Sequence, residues 1–364
     1  GSHDDPVRHR FEGRYARETK ETIFYDFSPE ASPPFSPIPT LRQAFPFDKK
    51  GFEEAKFSSF TPRFTIDWDV TDDNLIYFVA ARGTKPGGFN TGEVAVDQGL
   101  TSFDEEKIWS YELGTKNTMF NGQLQLNVAG YYEKIKGYQL TTVIFSPNVG
   151  VAGSTGTAID NKGEVRIFGG EIGINFAPNA IEGLNMNLGY AYNNAEFTGG
   201  STDATSGQLL DVADDGVRNC STGTQNGDPA VFVSGLCQNA VEGSIDGNWT
   251  PISARHQLTG AIFYSRPMFN TGWDWFAGVD ASHTSKKFVQ VQNLAVIPPA
   301  TLVNASIGIE NDNFRLSLWG KNLFDEDDVV NGTRFIDAEK SFRRAFLTFP
   351  RRNDLFGITE RARF

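Results

Sequence analysis

Trp109-Ser110-Tyr111-Glu112-Leu113-Gly114-Thr115-Lys116, then Phe120-Asn121-Gly122-Gln123, then Leu124-Gln125-Leu126-Asn127-Val128 is the stretch whose reading decides the fold. Trp109, Tyr111 and Leu113 share one parity, while Ser110, Glu112, Gly114 and Lys116 share the other. Asn121-Gly122 supplies residues that tolerate the positive φ of a tight hairpin turn. The returning limb sets Leu124, Leu126, Val128 and Tyr132 against Gln125, Asn127, Ala129 and Glu133. Both limbs outrun an ordinary strand of about five or six residues. They are long enough for a tilted membrane crossing of about 9 to 11.

The same pattern repeats outward from this hairpin. Phe64, Ile66, Trp68 and Val70 alternate with Arg63, Thr65, Asp67 and Asp69. Leu184, Met186, Leu188, Tyr190 and Tyr192 alternate with Asn185, Asn187, Gly189, Ala191 and Asn193. About twelve such strands are expected, joined by connections that alternate long and short. The long ones fall near 26–56, 84–106, 145–162, 198–251, 286–299 and 323–352. Short turns on one rim and long loops on the other are the signature of an outer-membrane barrel. Trp68, Trp273 and Phe364 then fall near the short-turn rim, and Trp109, Tyr190 and Tyr192 near the long-loop rim, as two aromatic girdles require. The expected fold is therefore all-β, an antiparallel transmembrane β-barrel portion.

Composition agrees. The 364 residues include 37 Gly and 31 Phe but only 3 Met. A mean hydropathy of -0.35 does not argue for a soluble chain, because a barrel strand shows only alternate residues to lipid. The net charge of -12 excludes a nucleic-acid surface, which needs clustered cations. No Cys/His grouping has zinc-ligand spacing, so neither metal nor cofactor is expected. Cys220 and Cys237 share one polar, Gly-rich stretch. A disulfide closing a surface loop is the expectation, with two free thiols as the alternative. The start, Gly1-Ser2-His3-Asp4-Asp5, has no initiator Met and no signal-peptide core, which reads as a processed, tagged or truncated chain.

An enzyme needs a nucleophile and a base. The histidines are His3, His9, His256 and His283, and Ser282 beside His283 would point to the opposite face of its strand. No enzyme is therefore expected. An outer-membrane hydrolase using His256 or His283 is the remote alternative. Lys85-Pro86-Gly87-Gly88 lacks the spacing of a phosphate-binding loop.

The wording of several strands is that of a known family. Gly13-Arg14-Tyr15 with Glu18, Thr61-Pro62-Arg63, Tyr77 through Arg82-Gly83 to Lys85-Pro86-Gly87-Gly88-Phe89-Asn90, Tyr111-Glu112-Leu113-Gly114-Thr115-Lys116, Lys321-Asn322-Leu323-Phe324-Asp325 and the terminal Phe364 occur in order along the chain. The chain resembles the C-terminal part of the barrel of a TonB-dependent outer-membrane receptor. That resemblance implies a Gram-negative outer membrane, with outer-membrane lipid and lipopolysaccharide around the barrel. It also implies a plug domain and a TonB-type energy transducer as partners, acting through an N-terminal part whose plug and transducer box are not in this sequence. The implied activity is energy-coupled uptake of a scarce solute, a ferric siderophore foremost. The alternative is a self-contained passive diffusion channel of twelve strands.

Glu112, Lys116, Glu171 and Arg315 have lumen-facing parity. They are candidates for contact with a plug or a passing substrate, against the plainer reading of a salt-bridge ladder on a wet wall. In the loops, Phe89, Phe103, Phe232, Trp249, Phe335 and Phe342 are candidates to pack an extracellular small-molecule ligand, or one another. Arg343 and Arg344, with Arg351 and Arg352, would attract an anionic chelate. Asp325-Glu326-Asp327-Asp328 opposes them. In the last strand, Thr359 stands where the family often has Gly, and Glu360 shares the parity of Phe364.

Overall fold

The computed structural model describes residues 5–26, 48–146, 154–161, 163–203, 217–220, 223–226, 243–293, 295–337 and 343–363. Twelve strands form one antiparallel sheet in chain order. They are β1 (Val7–Asp26), β2 (Asp48–Thr71), β3 (Asn74–Lys85), β4 (Glu106–Met119), β5 (Leu124–Lys136) and β6 (Glu164–Phe176), then β7 (Leu184–Thr198), β8 (His256–Pro267), β9 (Asp274–Thr284), β10 (Ala300–Glu310), β11 (Phe314–Lys321) and β12 (Leu355–Ala362). Each strand pairs with its sequence neighbours, so every connection is a hairpin. Short and long connections alternate as the sequence predicts. At the β4–β5 turn, Phe120 and Asn121 both adopt φ 54 and Gly122 φ 87, the positive φ that an Asn-Gly pair tolerates.

Register fixes which residues share a face. Tyr111 pairs with Tyr132, Tyr132 with Phe168, and Ile172 with Tyr190. The outer row continues through Leu258 opposite Tyr190, Val279 opposite Ile262 and Leu318 opposite Ile307. These side chains stand exposed, Leu113 at 59% and Ile358 at 70%. In water such a continuous apolar face would be unstable; against lipid it is the required surface.

The inner face is polar, and it is organised by aromatic rings lying over glycine. Tyr77 is directly opposite Gly114, Tyr131 opposite Gly169, Phe263 opposite Gly278, Phe276 opposite Gly308 and Trp319 opposite Gly357. A large ring can lie flat across the neighbouring strand only where that strand offers no side chain. Phe276 is completely buried this way, between Gly308 and the guanidinium of Arg315, 4.1 Å from its ring centroid. A Cβ on Gly308 would meet the Phe276 ring at 2.5 Å and overlap the Leu316 carbonyl. Gly308→Val is therefore expected to destabilise the sheet by about 1–3 kcal/mol, read as a lower urea midpoint for refolding into vesicles.

Two features differ from the sequence expectation. Residues 48–56, read as loop, belong to β2, where Asp48 pairs with Asp26 and Lys56 with Thr19. At 20 and 24 residues, β1 and β2 run past the membrane on the long-loop side. The long connections also carry hairpins of their own, Gln139–Ser146 with Ser154–Asn161 and Val329–Asp337 with Arg343–Pro350. In keeping with a barrel portion, β1 and β12 lie at opposite ends of the sheet, and among the described residues they do not pair.

Candidate functional site

On the inner wall, the Tyr77 hydroxyl donates to Glu112 Oε1 at 2.6 Å. The Lys116 ammonium lies 5.6 Å from the Tyr77 ring centroid. Glu112 and Glu171 line a recess of about 460 Å³, floored where Gly173 pairs with Gly189 and bordered by Asn127, Gln257 and Thr259. Glu112, Lys116 and Glu171 are thus gathered around one tyrosine. Arg315 is apart from them. It pairs with Glu310 at 3.0 Å beside the short β10–β11 turn and covers Phe276. Thr359 accepts a hydrogen bond from Trp319 Nε1 at 2.9 Å, which gives the unexpected threonine a cross-strand role.

At the other rim the connections build a cap. The loop after β3 contains the pair Gly88–Phe89 with Ser102–Phe103 and a short helix, Glu93–Asp97. Three polar side chains tie this loop to the 139–161 hairpin. Asn90 donates to the carbonyls of Leu100 and Ile159 and accepts from the Ile159 amide at 2.8 Å. Asn161 accepts from the Asp104 amide at 2.6 Å and donates to the carbonyls of Asp104 and Gly137. Gln139 donates to the carbonyls of Pro86 and Asp104. Asn161→Ala would leave an amide and two carbonyls without this partner, at a cost of about 1–3 kcal/mol. Faster amide exchange at 86–105 is the expected readout.

Beneath this plate lies an apolar cluster of Ile135, Leu140, Val165, Phe197, Ile245 and Val291. Tyr138 meets Phe197 edge-on, with centroids 5.5 Å apart. Burial, helped by the charge of Glu106, pushes the Tyr138 phenol above its ordinary range. Phe103 packs on Gly88, so that an added Cβ there would strike its ring at 2.8 Å; this aromatic fastens the two ends of the loop after β3 to each other.

Trp249 is the centre of a second group. The Arg255 guanidinium lies 3.6 Å from its ring centroid, Phe288 meets it edge-on at 5.2 Å, and the Lys286 ammonium lies 5.6 Å from both rings. Glu196 holds Arg255 at 2.6 Å and Arg166 at 3.3 Å. Of these, sequence reading found Trp249 alone. The charged partners come from β6, β7, the segment before β8 and the segment after β9, and only the register brings them together. In the β11–β12 connection, the Asp328 carboxyl is held above the usual carboxylate range by desolvation and by neighbouring Glu326 and Asp327.

Several expectations lie outside the described residues: Phe232, Phe342, Phe364 and Cys237, and with Cys237 the proposed disulfide. Cys220 ends the short strand Val217–Cys220. Phe335 lies in strand Val329–Asp337 and Arg343 and Arg344 in strand Arg343–Pro350, with side chains outside the described set. His283 bonds Thr301 Oγ1 at 2.8 Å through Nδ1, while Ser282 and its partner Leu302 occupy the other face.

Long antiparallel hairpins, an apolar outer face, a polar inner wall and loops massed on one rim define an outer-membrane β-barrel protein. Residues 24–323 match the family model for the TonB dependent receptor-like beta-barrel, and the chain belongs to that family. It is accordingly a protein of the Gram-negative outer membrane and of a transporter family, which removes the hydrolase reading. The fold is shared with the ferric yersiniabactin uptake receptor FyuA from Yersinia pestis, at 15% identity and a TM-score of 0.67, covering 100% of this chain and 44% of that one. The siderophore receptor PiuA from Acinetobacter baumannii is similar at 17% identity and TM-score 0.61, over 98% of this chain and 41% of its own. The copper transporter OprC follows at 14% and 0.56, over 97% and 45%. The chain thus spans less than half the length of these structures.

Proposed function

We propose that this chain supplies the C-terminal portion of the barrel of a receptor for energy-coupled uptake of a scarce solute, a ferric siderophore foremost. The observation that carries the reading is the pairing of a loop cap, rich in aromatic rings and cations, with a polar inner wall directly beneath it. Phe89, Phe103 and Trp249, joined by Arg255 and Lys286, form the ligand-facing set. Glu112, Lys116, Glu171 and Arg315 form the wall against which a plug domain, moved by a TonB-type transducer, would slide. The solved structures similar in fold include a ferric yersiniabactin uptake receptor and a siderophore receptor, which supports iron chelates as the first ligands to try.

A self-contained passive channel would need β1 to pair with β12, because an open edge in lipid leaves backbone groups unsatisfied. The sheet order places those strands at opposite ends. The test is growth of receptor-deficient cells on candidate ferric chelates, with the full-length receptor carrying this chain and with the transducer present or deleted. Growth that requires both receptor and transducer is expected. Growth that persists without the transducer, or a steady open conductance in planar bilayers, would overturn the reading in favour of a pore.

A further inference from the structure

Where β1 and β2 run on past the membrane, their inner faces and the loop after β3 enclose a recess of about 220 Å³. Three cross-strand pairs form its floor: Arg14 with Thr61, Ala16 with Ser59, and Glu18 with Phe57. Thr84, Pro86 and Glu105 close it from the other side. The Lys20 ammonium donates to the Gly87 carbonyl at 2.8 Å and lies 5.7 Å from the Phe57 ring centroid. A Cβ on Gly87 would meet the Phe57 ring at 2.5 Å, so the loop approaches β2 this closely only with glycine there. Gln139 holds the Pro86 carbonyl from the cap side at 3.0 Å. The recess therefore occupies the joint between the β1–β2 extension and the cap.

Its lining carries both signs of charge, at different places. Glu18 lies 3.7 Å from Lys20, and Glu105 is ion-paired with Lys107. Arg14 is left over: Glu12, the nearest carboxylate in sequence, lies beside Arg10 at 3.9 Å, and among the described residues the Arg14 guanidinium has no ion-pair partner. Thr84 Oγ1 is buried with no hydrogen-bond partner among them either. A buried hydroxyl in that state is costly unless something that enters the recess bonds it. Arg14 and Glu18 are four residues apart on one strand, about 13 Å between Cα atoms, and each side chain shortens that gap. The space is below the roughly 300–1,000 Å³ of a site for a drug-sized ligand, which excludes an iron chelate and leaves room for a small molecule.

We propose that this recess is a binding site for a small zwitterion of the α-amino acid class, with its carboxylate on Arg14 and its ammonium on Glu18 and Glu105. A guanidinium takes a carboxylate through two parallel hydrogen bonds, and the Ser59 and Thr61 hydroxyls beside Arg14 supply further donors. The ring of Phe57 and the methyl group of Ala16 suit a short apolar side chain. Such a ligand touches β1 and β2 through Arg14 and Glu18 and the loop after β3 through Glu105, so its binding braces one against the other. The site shares no residue with the ligand-facing set or with the inner-wall set assigned above. Its failure would leave the uptake reading intact.

The test is calorimetric titration of the full-length receptor carrying this chain with L-alanine, and with propionate and ethylamine, which each keep one of its two charges. L-alanine is expected to bind saturably and about tenfold more tightly than either, a difference of about 1.4 kcal/mol. Arg14→Gln should weaken L-alanine about tenfold and bring it level with ethylamine. The double change Glu18→Gln with Glu105→Gln should bring it level with propionate. Ala16→Leu, which fills the floor, should abolish binding of all three; should it fail to fold, the charge variants read the same recess. In hydrogen exchange, L-alanine should slow the amides of 84–105 in the unaltered receptor and leave them unchanged in Arg14→Gln. No saturable binding of L-alanine, equal binding of propionate or ethylamine, or binding indifferent to Arg14→Gln would each overturn the proposal.

Discussion

An Ile172→Arg receptor is expected to refold into bilayers with about 2–4 kcal/mol less stability, because the new guanidinium would stand in hydrocarbon near the middle of β6. Ile172 is 40% exposed on the outer face, between Val128 of β5 and Tyr190 of β7. Its neighbour Gly173 faces the lumen, where a Cβ would have nothing within 4 Å. Gly173→Arg places the same charge one residue along in water, and is expected to cost less than about 1 kcal/mol, the ordinary range for an unobstructed surface change. Urea titration of refolding into vesicles measures both. The contrast between adjacent positions carries the meaning, since any general intolerance of arginine in the strand would depress the two alike. Equal losses, or the reverse order, would show that the faces of the sheet have been assigned the wrong way round.

That assignment was legible in β5 and β7 because their apolar residues occupy one parity alone. In β3 it was not. Leu75, Ile76, Tyr77, Phe78 and Val79 are apolar or aromatic without a break, so period alone selects neither face. Register with β4 decides it, placing Tyr77 over Gly114 on the lumen side and Phe78 beside Leu113 on the lipid side. The start of β2 was misread for a related reason. Asp48-Lys49-Lys50-Gly51 has no apolar alternation because both of its faces lie beyond the membrane, and it is held by its ladder to β1. The inner candidates fared unevenly for a physical reason as well. Glu112 and Lys116 on β4 and Glu171 on β6 converge across the single intervening strand β5, whereas Arg315 belongs to the far end of the sheet and answers to Glu310. The Trp249 group could not be read from spacing, because Arg166, Glu196, Arg255 and Lys286 are dispersed over more than a hundred residues of sequence and meet only when β6, β7, β8 and β9 are in register.

Phe197→Ala is expected to loosen the cap while leaving the membrane-spanning sheet in place. Phe197 ends β7 on the long-loop side and is fully buried. It packs in the cluster formed with Leu140, Ile245 and Val291, residues contributed by three separate long connections, and carries the edge of Tyr138. Removing a buried aromatic ring of this kind costs about 3–5 kcal/mol. The cost falls mainly on the cap, because the strands below are held by backbone ladders and by lipid that do not depend on this ring. A local unit with so large a share of its stability removed opens on its own, well before the whole fold does. Hydrogen exchange should therefore quicken at 137–146, 243–250 and 287–297, with protection in β5, β6 and β8 unchanged. Chelate uptake should fall with it if those connections together shape the ligand-facing set. Unchanged exchange in all three segments would mean that each connection holds its shape independently, and the cap would then be no single structural unit. Loss of protection in β5 and β8 as well would mean the reverse: that the sheet itself leans on the cap for stability, and that ligand capture and barrel integrity are coupled through Phe197.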